Sequence, residues 1–175
     1  AYKRVEVLRG PSSTGYGSDG LAGAVSFVTK DPSDLLTLGQ PLQGAVKLGY
    51  TSADRAWLLS PSVAWRGEQV EGLVLAAVRR GHATETMGDN DAPNNTRTTP
   101  NPQDRRSDYV LGKLVFKIDP QQRLKLTAEH LDRRIDTNVY TLFGDPLYTT
   151  TTDVDAREDI TRSMGKLEYG FTDPK

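Results

Sequence analysis

Residues Arg4 to Pro32 read RVEVLRGPSSTGYGSDGLAGAVSFVTKDP. An extended segment, Tyr2 to Leu8, runs into a loop holding Gly10, Gly15, Gly17, Gly20 and Gly23. The loop gives way to Ala24-Val25-Ser26-Phe27-Val28-Thr29, whose β-branched and aromatic residues favour a strand. The unit therefore reads as strand, glycine loop, strand, which by itself is compatible with a long turn in any β-rich domain. Gly15-Tyr16-Gly17-Ser18-Asp19-Gly20 also spells G-x-G-x-x-G. That motif binds a dinucleotide only where a helix starts at the loop and offers its N-terminus to the pyrophosphate. The residues that follow are strand formers ending at Pro32, so nucleotide binding is set aside.

Composition narrows the field. The 175 residues carry a net charge of −1, which creates no field for nucleic acid, and they contain no cysteine for a disulfide framework or thiolate metal site. Two histidines, His82 and His130, are too few for a histidine-rich metal site. No apolar run approaches the roughly 18 residues of a membrane helix. A hydrophobic content of 36% suits a sheet with one face against water or a polar lumen. The chain begins within an expected strand and ends at a turn, as a piece of a longer protein would.

Beyond Pro32 the pattern predicts six strands: residues 44–51, 56–66, 70–81, 108–118, 123–135 and 159–171. Their connections alternate between short turns (67–69 and 119–122) and mostly long polar stretches (82–107 and 136–158), the signature of a transmembrane β-barrel. In the fifth strand Leu124, Leu126 and Ala128 oppose Arg123, Lys125, Thr127 and Glu129. In the second, Trp57, Leu59, Val63 and Trp65 share a face. Eight residues separate the tryptophans, about 26 Å of strand, near the spacing of two aromatic girdles. Leu167, Tyr169 and Phe171 would join the inner girdle. Two features resist this scheme. Pro61 sits mid-strand, where a bulge or sheet edge is expected. The run Leu73-Val74-Leu75-Ala76-Ala77-Val78 shows no alternation, and a soluble antiparallel sandwich would accommodate it equally well.

A specific resemblance enters here. Lys3-Arg4-Val5-Glu6-Val7-Leu8-Arg9-Gly10-Pro11, Tyr16-Gly17-Ser18 and Gly20-Leu21-Ala22-Gly23-Ala24-Val25 closely resemble the end of the plug domain of TonB-dependent outer-membrane receptors. The stretches 29–36, 80–85 and 97–104 look like the subgroup that takes up haem and haemoglobin. Gly15 departs from the family, which usually has an apolar residue before Tyr16. The resemblance implies a fold that is all-β in the main: plug end over residues 1–32, linker over 33–42, and the first six antiparallel strands over 43–175 of a barrel of about 22 strands. It implies a bacterial outer-membrane location in contact with lipid, energy from the TonB–ExbB–ExbD complex, haem as transported ligand rather than resident cofactor, and no enzymatic activity. The TonB-binding segment and both axial histidines are expected outside these residues. A ferric siderophore is the alternative cargo.

The resemblance also suggests that Glu6, Arg9, Gly10 and Tyr16 contact the barrel wall, the two charges through charge-assisted bonds in a polar lumen; an ordinary surface pair is the plain alternative. His82, at the mouth of the first long loop, is a weak candidate for contact with passing haem, against the simpler reading of a solvated loop histidine. His130 falls on the apolar parity, which suits an interfacial position. The acidic groups Asp89-Asn90-Asp91 and Asp153, Asp155, Glu158, Asp159 could offer oxygen ligands to calcium, yet neither has the spacing of a calcium loop. No Gly-x-Ser-x-Gly elbow is present.

Overall fold

A computed structural model describes residues 2–10, 23–147, 149–150 and 153–172. The expected Gly15, Tyr16, Gly17 and Gly20 lie outside those residues. Strands β1 (Tyr2–Arg9) and β2 (Gly23–Thr29) pair antiparallel, with Val5 opposite Phe27 and Arg9 opposite Gly23. Gly23 has φ 152° and a Cβ there would meet the Leu8 carbonyl at 2.5 Å, so the strand pair closes only with glycine at that point.

The six later strands are β3 (Leu42–Thr51), β4 (Ala56–Arg66), β5 (Val70–His82), β6 (Gln103–Lys117), β7 (Gln122–Asn138) and β8 (Asp155–Phe171). They form one antiparallel sheet in chain order. An antiparallel sandwich would divide these six strands between two packed sheets, whereas here all six lie in one. The last three strands reach further into polar sequence than periodicity suggests. Their ends alternate in charge and pair across strands: Arg134 with Asp159 at 2.6 Å, Arg157 with Asp136 at 2.5 Å. Residues that look like loop alone become a ladder together.

The register separates two faces. The near face carries the β1–β2 hairpin and the residues after it. It includes Ala64, Leu73, Leu75 and Leu111, which are buried against Leu36 and flanked by Leu35 and Tyr109. A 3-10 turn at Pro32–Asp34 delivers those two leucines, so the expected linker packs onto the sheet. On the far face, cross-strand partners put Leu48 beside Leu59, Tyr50 beside Trp57, Val63 beside Val74, Leu114 beside Leu126, and Leu126 beside Leu167. Most of this apolar surface is open, with Leu48 72% and Leu167 65% exposed. The ambiguous run in β5 now has a cause: Leu73 and Leu75 face the buried leucines while Val74 and Val78 face outward, so both faces require apolar residues.

Pro61 marks neither a bulge nor an edge. Strand β4 has a neighbour on each side, and its pairing with β5 resumes in the same register, Leu59 opposite Val78 and Ser62 opposite Leu75. The Ser60 hydroxyl donates to the Ala76 carbonyl at 2.8 Å, occupying the acceptor opposite the missing proline N–H. On the same strand Trp65 lies across Gly72, where a Cβ would fall 2.0 Å from the indole. Tyr50 and Trp57 stack with centroids 4.7 Å apart near the opposite end.

Candidate functional site

Two regions combine charge with concavity. The first lies between the hairpin and the near face. Lys113 of β6 points to that side because its parity matches Leu111, and its side chain is only 4% exposed. Its ammonium donates to the Thr29 carbonyl at 3.1 Å and to Asp31 Oδ1 at 2.9 Å. Lys125 of β7 stands 3.5 Å from the same carboxylate, and Lys3 of β1 reaches Asp34 at 2.6 Å. Burial pushes the Asp31 carboxyl up, but the Lys113 hydrogen bond and the charges of Lys113 and Lys125 outweigh it, leaving the group below its ordinary value. Asp34 is lowered in the same way, burial being opposed chiefly by Lys3 and by the Asp31 backbone N–H. The end of β2 is thus fastened to the sheet by a lysine that would be costly to bury alone. Beside it a cleft of about 520 Å³ is lined by Glu6, Arg123, Lys125, Glu129, Lys166 and Glu168, among others.

Glu6 faces that cleft, but its ion-pair partner is Arg4, 2.6 Å away on the same strand. Among the described residues Arg9 has no ion pair, and Gly10 adopts φ 101°. Tyr16 lies outside them. Asp31, Lys113 and Lys125 tie the end of the hairpin to the sheet, and the Lys3–Asp34 pair ties the hairpin to the turn that follows it; none of these is among the residues expected from sequence. Parity signals Lys125, which sits opposite Leu124, Leu126 and Ala128, but signals Lys113 less clearly, because Leu111 and Val115 share its face.

The second region is a cleft of about 450 Å³ at the end of the sheet where the long loops emerge, with Arg55, His82, Glu85, Asp91, Arg97 and Thr99 in its lining. The loop after β5 is folded on itself. The Asn90 side chain donates to the Thr96 carbonyl at 2.8 Å, Arg97 donates to the carbonyls of Asp91 and Pro100, and its guanidinium lies 5.3 Å from the centre of the Tyr140 ring. Arg55 fixes Glu85 at 2.9 Å. His82 is largely exposed, with Nδ1 3.2 Å from Asp104 Oδ1. Asp89 and Asp91 do not converge on a metal position: among the described residues no group of three or more carboxylate or imidazole ligands is assembled. His130 stands on the far face, Nδ1 2.9 Å from the Ser163 hydroxyl.

No protein-family model matches the chain. Individual relatives do. A hemin receptor of Yersinia enterocolitica is 35% identical over 129 residues, 73% of this chain and 17% of the relative. The TonB-dependent heme receptor A of Haemophilus influenzae is 30% identical over 72% of this chain and 16% of its own length. This chain belongs to the TonB-dependent receptors. Lactoferrin-binding protein A of Neisseria meningitidis serogroup B matches a shorter part, 34% identical over 49% of the chain and 9% of the relative. The chain therefore spans less than a fifth of the length of these relatives. Two of these relatives are named as receptors and the third as a binding protein, none as an enzyme. Within this family the all-β hairpin-plus-meander arrangement reads as a partial barrel.

Proposed function

We propose that residues 1–32 are the end of a plug domain, 33–42 its linker, and 43–175 the first six wall strands of an outer-membrane receptor that takes up haem or haem proteins with energy from TonB–ExbB–ExbD. The observation that carries this reading is the division of one sheet into two environments. Its far face is apolar and exposed over the middle of the strands, as lipid requires. Its near face is charged and fastened to the hairpin through Lys113 and Asp31, as a polar lumen filled by a plug requires. Backbone groups within the sheet are paired strand to strand, the condition for crossing hydrocarbon.

The cargo rests on the relatives named for hemin and heme, which match nearly three quarters of the chain, against half for the lactoferrin-binding protein. Haem is transported and released, with no permanent cofactor. Glu6 then faces the lumen from the plug side, and His82 borders the outer cleft that arriving cargo meets first. Titrating the purified full-length receptor with haemin should give a saturable, shifted Soret band. An unshifted band, with ferric siderophore bound instead, would replace the cargo and keep the fold.

A further inference from the structure

We propose that Arg79, Arg105 and Arg133 form a carboxylate-binding subsite on the near face of the sheet, between the loop cleft and the hairpin. All three have the near-face parity. Ser107 is paired with Arg79 on one side and Arg133 on the other, placing both arginines in one row across three strands, and Arg105 stands in the next row opposite Gly81. Together with Asp54, Gly81 and Ser107 they line a concavity of about 190 Å³. Its size suits a carboxylate.

The charges do not balance. Asp54 is the carboxylate in the lining, and it is held by Arg79 at 2.5 Å. That contact is built in: at Gly81 a Cβ would meet the Ala56 Cβ at 2.7 Å, so glycine lets the 3-10 turn Ser52–Asp54 close onto β5. Arg105 donates from both Nε and Nη2 to Gln103 Oε1, a neutral acceptor. Arg133 has no ion pair among the described residues. Several other near-face cations meet carboxylates, Arg66 and Lys117 with Glu71, Lys113 with Asp31, Arg162 with Glu129, while Lys47 and Arg123, unpaired among the described residues, stand singly rather than as neighbours. Guanidinium groups present a planar fork that matches a carboxylate in two bonds; with Arg79 engaged by Asp54, Arg105 and Arg133 are the two left to repel each other until an anion arrives.

The ligand class is a carboxylate-bearing small molecule. Under the haem reading, on which this assignment rests, the groups bound are the two propionates of haem. The test uses the full-length receptor, haemin, haemin dimethyl ester and citrate. R105Q and R133Q should each weaken haemin binding roughly tenfold, the loss expected for one charge-assisted bond. Both should leave binding of the ester unchanged, which a general loss of folding would not. R157Q removes the same charge from the opposite face of the sheet and should bind haemin like the wild type. Equal haemin affinity in wild type, R105Q and R133Q would overturn the subsite. If the wild type binds no haemin, the cargo reading fails by itself, and citrate decides the subsite: bound by the wild type and lost in R105Q/R133Q supports it, while citrate unbound or bound equally overturns it.

Discussion

Lys113 and Asp31 show how one pair can hold two parts of a chain together. The lysine is buried, so its charge is tolerable only while Asp31 and the Thr29 carbonyl receive it. Replacing Lys113 by Met should lower the stability of the hairpin's attachment by about 2 kcal/mol, the scale of a hydrogen bond to a charged group. The pair also sets a pH dependence. Asp31 has a folded pKa below its unfolded value of 3.8, so its contribution is complete above that value and is lost as pH falls through the folded pKa. In calorimetric melting of the full-length receptor, D31N should melt lower than the wild type at pH 6–7, and the gap should narrow progressively as pH falls below 3.8. A gap that stayed constant as the pH was lowered would remove Asp31 from this role. The sequence hid the pair because its partners lie 82 positions apart, while Glu6 and Arg9 stand close together and attract notice. Glu6 pairs with Arg4, two positions away and on its own face of β1, whereas Arg9 has the opposite parity.

At the scale of the strand, β4 carries a proline in the middle of a sheet and keeps its register. Ser60 explains this, by donating to the Ala76 carbonyl that Pro61 cannot reach. In hydrocarbon an unpaired carbonyl has no water to turn to, so the hydroxyl matters more than it would at a wet surface. S60A should destabilise the receptor by about 1–3 kcal/mol in urea titrations in micelles. The double variant S60A/P61A, which restores a backbone N–H, should recover most of that loss; no recovery would show that Ser60 acts through something else. Strands with one charged face, such as β7, could be read from alternation alone. Strand β5 could not, because the leucines of the linker make its near face apolar too. The polar extensions of β6, β7 and β8 were equally hidden, since Arg134 is paired by Asp159 on another strand.

On the proposed function the whole molecule is one sheet between lipid and a charged lumen. Six strands leave β3 and β8 each with an open edge, so residues 1–175 expressed alone should require detergent, and a soluble, cooperatively melting monomer would contradict a barrel wall. The meander could be read from turn and loop lengths, and the family from the glycine stretch; the charges joining hairpin to wall, and the arginine row above them, needed the strands side by side. The most direct measurement places spin labels singly at residues 124 to 130 of β7 in the full-length receptor in bilayers. Oxygen, which concentrates in lipid, should reach labels at 124, 126 and 128 best, and should reach those at 125, 127 and 129, on the largely covered near face, poorly. An alternation of period two in that phase is the predicted result. Uniform accessibility, or the opposite phase, would contradict the account.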